Sequence, residues 1–165
     1  MDERDRIYVA VVGASSCDAE IAAWAEEVGR RLGAAGAVLV CGGRGGVMEA
    51  ACRGAKASGG ITVGILPGVD RSEANPFLDV ALPSGLGEAR NVLVVRAADA
   101  VIAIAGEFGT LSEIAFALKL GKPVIGLSTW QLARSGQPVE AILRASDPAD
   151  AVRQALALAS GSRAE

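Results

Sequence analysis

The 165-residue sequence contains no histidine. This absence excludes the Ser-His-Asp and Cys-His arrangements that activate nucleophiles, and it removes the commonest transition-metal ligand. Proton transfer would therefore depend on a carboxylate, Tyr8, a lysine, an activated water or the substrate itself. We expect neither a bound metal ion nor a resident cofactor.

Aromatic residues make up only 4% of the chain, although 51% of it is hydrophobic, so the core must be aliphatic and rich in alanine. The longest apolar stretches have the length of strands, far short of the ~20 residues that span a bilayer. We therefore expect no membrane partner. The length fits one domain, which we place over residues 1–165.

The chain has only three cysteines, without CxxC spacing, and a net charge of −3. Free cysteines favour a reducing setting, and we predict a cytoplasmic location, with Cys41 and Cys52 as small core residues. The negative charge argues against duplex nucleic acid as a partner, because that affinity depends mainly on neutralising phosphates. Small anions are compatible with it, since backbone N–H groups bind them without a positive net charge.

Strand-like and helix-like segments alternate along the chain. Strands are predicted at "RIYVAVVG", "AVLVC", "GITVGILP", "AVIAIA" and "GKPVIGLS", with a short one at "FLDVALP"; "GVDRSEANPF" is interpreted as a surface loop. Helices are predicted over 18–35, 47–58, 87–98 and 110–120, and from Pro148 to about Ala159 after an Asp147 cap. Apolar strands separated by helices indicate an α/β fold, a single doubly wound, Rossmann-like parallel sheet with helices on both faces. Ligands bind such sheets at the carboxyl ends of the strands, where the strand order reverses.

The segment "CGGRGGVMEA", residues 41–50, lies between a predicted strand and a predicted helix. Its glycines, Gly42, Gly43, Gly45 and Gly46, let the backbone approach a ligand on either side of Arg44, and the helix N-terminus favours an anion. The segment matches neither GxGxxG nor a Walker loop. A tight turn is the alternative, but two glycines usually suffice for one, so we favour phosphate binding.

The segment "AGEFGT", residues 105–110, is a second strand-to-helix loop, in which Gly106 and Gly109 free the backbone and Thr110 supplies a hydroxyl. Residues 110–113 also match a capping box, and geometry alone favours that interpretation. Glu113, however, lies about 200° around the helix from Leu111, off the predicted apolar stripe. We therefore expect Glu113 to serve both as a cap and as a carboxylate facing a cleft.

Two further loops contribute candidates. Gly13, Ser15 and Ser16 in "GASSCD" suit a helix cap and a phosphate or base contact equally well. In "GLGEARN", Arg90 and Asn91 lead from a glycine-rich turn into an apolar helix. A solvated surface arginine is the default there; held at the edge of the sheet, Arg90 would bind a phosphate or a carboxylate.

Together, "GGRGGVMEAACRGA", "GGITVGILPG", "GEARNVLVVRAADAVIAI" and "GEFGTLSEIAFALKLGKPVIGL" resemble the Lonely Guy family and its bacterial relatives. This family was long labelled "lysine decarboxylase-like", and its signature reads Pro-Gly-Gly-x-Gly-Thr-x-x-Glu. The resemblance runs from about Tyr8 to Ser128. The closest branch is the short bacterial subgroup of Rossmann proteins that includes the molybdenum cofactor carrier proteins.

The resemblance implies a nucleotide-binding protein. Lonely Guy enzymes are hydrolases that cleave the N-glycosidic bond of a cytokinin or adenosine 5′-monophosphate. By resemblance, Gly109, Thr110 and the Gly42–Gly46 loop would hold phosphate and ribose, and Arg90 and Glu113 match the catalytic pair. Such a carboxylate stabilises oxocarbenium-like charge or activates water. A homodimer or higher homo-oligomer is also implied, with "VLVVRAA" and "IAFALKL" as the segments that would supply its interface.

The chain departs from the family pattern at three points. Ala105-Gly106-Glu107 replaces Pro-Gly-Gly, Arg90-Asn91 replaces Arg-Lys, and Glu49 stands where a small residue is usual. An ionised carboxylate within ~5 Å of a phosphate costs on the order of 1 kcal/mol, which weakens the case for an enzyme. Two functions therefore stay open: a phosphoribohydrolase acting on nucleoside 5′-monophosphates, and a non-catalytic carrier or sensor of a phosphorylated small molecule such as molybdenum cofactor. The ligand would be a nucleoside monophosphate or a pterin phosphate.

Overall fold

The structure, a computed structural model, describes residues 5–161. Its strands are β1 (Tyr8–Gly13), β2 (Val38–Cys41), β3 (Ile61–Leu66), β4 (Val80–Pro83), β5 (Ala100–Ile104), β6 (Val124–Leu127), β7 (Leu132–Arg134), β8 (Gln137–Val139) and β9 (Ile142–Arg144). Its α-helices are α1 (Ala19–Ala34), α2 (Val47–Ala57), α3 (Asn91–Arg96), α4 (Phe108–Lys119) and α5 (Pro148–Gly161). The first four and last four residues of the domain predicted over 1–165 lie outside the described part.

Seven strands form one sheet in the order β4-β3-β2-β1-β5-β6-β9, and each neighbouring pair is parallel. The central strand β1 pairs with β2 on one side, where Ala10 lies opposite Val40, and with β5 on the other, where Val12 lies opposite Ala103. The chain thus winds outward from β1 to β4, returns to β5 and winds outward again. The strand order reverses between β1 and β5, which confirms the predicted doubly wound fold.

Helices cover both faces of the sheet. Val9 and Val11 of β1 pack with α1, α2 and α5 on one face, and Ala10 and Val12 pack with α3 and α4 on the other. All four side chains are at most 1% exposed. Because both faces of the strand are buried, its sequence is continuously apolar rather than alternating.

Two predicted features of the helices and the core are confirmed. The Asp147 carboxylate accepts the backbone N–H of Asp150 at 2.8 Å, and Pro148 opens α5. Cys41 and Cys52 are fully buried free cysteines in the core layer formed by α1, α2 and α5. No helix among residues 5–161 is long and apolar enough to cross a bilayer.

Two parts of the secondary structure differ from the prediction. The segment predicted as one helix over 87–98 is a 3₁₀ turn, Gly87–Arg90, followed by the short helix α3. No strand is predicted after β6, whereas β7 and β8 form an antiparallel hairpin and β9 joins the sheet. Each of these strands has three residues, too few for a periodic pattern to appear. The hairpin turn, Ser135 and Gly136, has positive φ at both residues, as a type I′ turn requires.

Candidate functional site

A cleft of about 330 Å³ lies at the carboxyl end of the sheet, where the strand order reverses. It brings together the following predicted site residues: Gly13, Ser15, Ser16, Gly42, Arg44, Arg90, Asn91, Gly109, Thr110 and Glu113. The other four, Gly43, Gly45, Gly46 and Gly106, lie in the adjoining loops without lining the cleft. The loops after β1, β2 and β5 and the turn before α3 therefore meet at one place, as expected for this fold.

Arg90 is the charged centre of the cleft and is only 9% exposed. Its Nε donates to the backbone oxygen of Ile65 at 2.9 Å, Nη2 donates to that of Gly42 at 3.5 Å, and Nη1 donates to Asn91 Oδ1. The default expectation of a solvated surface arginine is therefore wrong. The guanidinium is fixed at the ends of β2 and β3, and burial lowers the Arg90 pKa below its usual value.

Gly42 makes room for this guanidinium. A Cβ atom at Gly42 would lie 2.8 Å from Nη2 of Arg90 and 2.9 Å from Sδ of Met48. A side chain at position 42 would therefore displace the arginine from its carbonyl partners. This close approach is a reason for glycine here that is independent of any ligand.

Asn91 and Ser112 connect Arg90 to the first turns of α4. Asn91 Nδ2 donates to Ser112 Oγ at 3.0 Å, and that hydroxyl donates to the backbone oxygen of Gly109 at 2.6 Å. The Asn91 amide is thus engaged within the protein on both its oxygen and its nitrogen, and it positions the guanidinium. Ser112 was not predicted as a site residue, because only the fold brings α3 and α4 together.

Helix α4 begins two residues earlier than predicted. Its N-cap residue is Glu107, whose side chain makes no cap hydrogen bond, and Thr110 is already in the first turn, so the capping box with Glu113 is wrong. The cause is a sharp turn after β5, in which Ala105 and Gly106 have φ of 47° and 101°. A Cβ atom at Gly106 would overlap the Thr110 side chain. The first backbone N–H groups of α4 consequently lack a side-chain cap at the edge of the cleft.

Glu113 lines the cleft and is 7% exposed. The buried face of α4 consists of Thr110, Glu113, Ile114 and Ala117 rather than the predicted stripe through Leu111. Burial raises the Glu113 pKa to about 8, an effect that the charge of Arg90 only partly offsets. Among residues 5–161, no salt bridge joins these two side chains. Glu113 is therefore largely protonated at neutral pH.

The glycine loop between β2 and α2 is shaped by close backbone packing. Gly46 has φ of 61°, and a Cβ atom there would overlap the backbone oxygen of Ala14, which accepts the Val47 N–H at 3.0 Å. Helix α2 also begins without a side-chain cap. Arg44 is half-exposed and lies 4.0 Å from the Glu73 carboxylate. Part of the glycine content thus serves packing of the loop against the end of β1.

Asn75 holds the other side of this loop. Its side-chain Nδ2 donates to the backbone oxygen of Arg44 at 3.0 Å, and its backbone N–H donates to that of Gly43 at 2.9 Å. Asn75 is buried, although its segment was interpreted as a surface loop. The Asn-Pro sequence at 75–76 indicates a turn but not the partner that the turn contacts.

The chemistry of the cleft suits an anion better than a cation. It combines one fixed guanidinium, the uncapped N-terminus of α4 and a largely neutral carboxyl group. The exposed carboxylates Glu88 and Glu107 lie among its lining residues. Within the described part of the chain, no three His, Cys, Asp or Glu side chains are grouped so that they could hold a metal ion.

The fold and the cleft define a Rossmann-like α/β protein with a candidate binding site at the switch point of its sheet. The sequence profile of the SLOG cluster4 family matches residues 6–152, and the chain belongs to this family.

Similar proteins agree with this assignment. An uncharacterised protein of Archaeoglobus fulgidus is 46% identical over 121 residues, which are 73% of this chain and 80% of the relative. The molybdenum cofactor binding protein of Rippkaea orientalis is 33% identical, with a TM-score of 0.83 over 93% of this chain and 97% of that one. The molybdenum cofactor carrier protein of Chlamydomonas reinhardtii is 30% identical, with a TM-score of 0.82 over 93% and 98%. These likenesses confirm the predicted subgroup; Lonely Guy-type hydrolase activity stays a prediction.

Proposed function

We propose that this protein binds a phosphorylated small molecule in the switch-point cleft and carries it without cleaving it. One observation carries the proposal: the buried guanidinium of Arg90 faces the same cleft as the uncapped start of α4. A fixed guanidinium and free backbone N–H groups are complementary to a phosphate group. The similarity to a binding protein and a carrier protein of molybdenum cofactor, which is itself a phosphorylated pterin, supports a ligand of that class.

The state of Glu113 supports phosphate binding as well. A carboxyl group with a pKa of about 8 is mostly neutral at pH 7, so it does not repel a phosphate and has an O–H to donate. Glu107 is exposed at the edge of the cleft, where water screens its charge. The Glu107 carboxylate is thus compatible with a phosphate next to Arg90.

Cleavage of a nucleoside 5′-monophosphate is the second candidate, and it is favoured by the presence of Arg90 and Glu113 in one cleft. An ionised carboxylate would be needed to activate water or to stabilise an oxocarbenium-like transition state. The raised pKa of Glu113 disfavours that form at neutral pH. We therefore favour the carrier.

We also infer that the chain forms a homo-oligomer through the side of the molecule formed by β4 and α3. An open apolar groove of about 430 Å³ lies there, with Ile65, Leu82, Leu93 and Ala97 among its lining residues. Leu82 on the edge strand is 47% exposed. Open apolar surface of this kind is typical of a protein–protein interface.

The proposed binding is tested by calorimetric titration with inorganic phosphate, AMP, GMP and neopterin monophosphate. We expect Arg90→Gln to weaken binding at least about tenfold, since a charge-assisted hydrogen bond contributes about 1.5–3 kcal/mol. Arg153→Gln is the control, because Arg153 lies on the surface of α5, outside the cleft, and pairs with Asp150. Absence of binding by the folded wild-type protein would contradict the proposal. Release of free base from AMP that is lost in Glu113→Gln would instead establish the hydrolase.

A further inference from the structure

A second cavity lies beside the cleft, at the carboxyl ends of β6 and β9. It has a volume of about 290 Å³ and is covered by the β7–β8 hairpin, and we call it the hairpin cavity. Its apolar walls include Trp130, Leu132, Pro138, Val139 and Ile142, and Glu140 is among its polar groups. Apolar and aromatic walls with a few polar groups are typical of small-molecule sites.

Trp130 lies between this cavity and the start of α4. Its indole Nε1 donates to the backbone oxygen of Glu107, the N-cap residue of that helix, at 3.2 Å. The ring centroids of Trp130 and Phe108 are 5.5 Å apart, and Phe108 is 75% exposed. Two of the chain's few aromatic side chains thus meet next to the helix N-terminus that faces the cleft.

A shallow groove connects the cleft with the hairpin cavity. Its lining residues include Glu107, which also lines the cleft, and Trp130, which also lines the cavity. Ala105 and Ser128, also in the groove, have φ of 47° and 50°, and Thr129 Oγ1 donates to the Ala105 oxygen at 2.5 Å. Non-glycine residues in this conformation cluster at ligand sites, where surrounding contacts hold them. The groove therefore lies between the two cavities and shares lining residues with each.

We propose that the hairpin cavity is a second subsite, which takes a planar heteroaromatic ring stacked against Trp130 while the phosphate of the same ligand lies in the cleft. This inference rests on the proposed function. A pterin and a purine share the required chemistry, a flat ring whose faces suit the apolar walls and whose edge carries N–H groups. The Glu140 carboxylate is an acceptor for those N–H groups.

The first test measures calorimetric affinities of the full chain for neopterin monophosphate, GMP and ribose 5-phosphate, which has the phosphate without the ring. We expect Trp130→Leu to weaken binding of a ring-bearing ligand about tenfold, because stacking on an aromatic side chain contributes this much. The affinity of the Trp130→Leu variant for ribose 5-phosphate should differ from that of the wild type by less than about twofold. Phe116→Leu is the control, since Phe116 lies on the surface of α4 outside these cavities. Equal losses for ligands with and without a ring, or no loss, would overturn the inference.

A second measurement leaves Trp130 in place. In a Trp24→Phe variant, Trp130 is the single tryptophan, so one indole N–H signal appears in the ¹H–¹⁵N spectrum. The chemical shift of that signal should change when neopterin monophosphate or GMP is added and stay the same with ribose 5-phosphate. Whichever of the two ring-bearing ligands binds more tightly identifies the class of ring that the subsite prefers. If phosphates bind through Arg90 but the signal never moves, the ring subsite is overturned and the proposed function stands. If ribose 5-phosphate does not bind while unphosphorylated neopterin moves the signal, the phosphate function fails and the ring subsite is supported.

Discussion

At the residue scale, the balance of charge in the cleft depends on Glu113. Its carboxyl group is buried on the sheet-facing side of α4, and removal from water disfavours the ionised form. Arg90 attracts the carboxylate, but the guanidinium is already turned toward backbone oxygens and Asn91. Desolvation therefore outweighs this attraction, and the pKa rises to about 8.

This raised pKa predicts a pH-dependent loss of stability. In the unfolded chain, Glu113 ionises near pH 4.5, whereas the folded protein retains the proton up to about pH 8. Between these values the unfolded state binds fewer protons, so the free energy of unfolding falls by up to about 1.4 kcal/mol per pH unit. The free energy of unfolding of the wild type, relative to that of Glu113→Gln, should therefore fall by about 2 kcal/mol between pH 5.5 and 7.5. Urea denaturation at both pH values measures this difference.

Glu107→Gln is the matched control for this experiment. Glu107 is exposed at the start of the same helix, so Glu107→Gln makes the same side-chain change without touching the buried carboxyl group of Glu113. If the wild type and Glu113→Gln differ in their free energy of unfolding by the same amount at pH 5.5 and 7.5, the raised pKa of Glu113 is contradicted.

At the element scale, the start of α4 depends on the turn at Ala105 and Gly106. The positive φ of these residues turns the chain from β5 directly into the helix, which leaves Glu107 as N-cap and exposes the first N–H groups to the cleft. Thr110 packs against Gly106 and closes the turn. The geometry of the helix start in the proposed phosphate site therefore depends on a turn whose glycine does not itself line the cleft.

Gly106→Ala and Gly109→Ala form a matched pair that tests this geometry. At Gly106, φ is 101° and a Cβ atom would overlap Thr110, so we expect a loss of about 2 kcal/mol or more in the free energy of unfolding. At Gly109, within α4, an added Cβ would meet nothing within 4 Å in the described part of the chain apart from its chain neighbours and the backbone of the helix itself. Alanine there should raise stability by up to about 1 kcal/mol, because glycine disfavours helix. Denaturant unfolding of both variants measures these changes. If the two substitutions change the free energy of unfolding by the same amount, the turn at Gly106 is not constrained.

Elements with enough length for a periodic pattern could be predicted from the sequence. The strands β1 to β6 and the long helices α1, α2 and α5 lie within three residues of the predicted boundaries. The start of α4 was wrong, because a Thr-x-x-Glu pattern fits a capping box whether or not the preceding turn allows one. The strands β7 to β9 were missed because three residues carry no periodicity, and with them Trp130 was missed as a candidate.

The same limit applies to the candidate site. Loops at the carboxyl ends of strands could be named in advance, because the fold class alone brings them together. The side chains that position them could not. Asn75 and Ser112 reach residues distant in sequence, and the burial of Arg90 depends on carbonyl groups from β3 and the glycine loop.

At the scale of the whole molecule, the winding of the sheet separates two kinds of surface. The switch point at the carboxyl end of β1 collects glycine loops and charged groups, whereas the outer strand β4 and the short helix α3 leave apolar side chains open to solvent. Helix α3 has only six residues and covers this side incompletely. A net charge of −3 is thus compatible with local anion binding, while the apolar side is available to a second copy.

If copies associate through this apolar side, acidic substitutions on it should separate them. In a Leu82→Glu/Ala97→Glu variant both changes fall on exposed residues that line the groove, so the folded chain should tolerate them, but carboxylates in an apolar interface would lose hydration without gaining partners. Val69→Glu is the control, an equal apolar-to-acidic change at an exposed position outside the groove. Light scattering after size-exclusion chromatography should give an oligomer for wild type and Val69→Glu and a monomer for the double variant. A monomeric wild type, or a double variant that keeps the wild-type mass, would assign the groove another role.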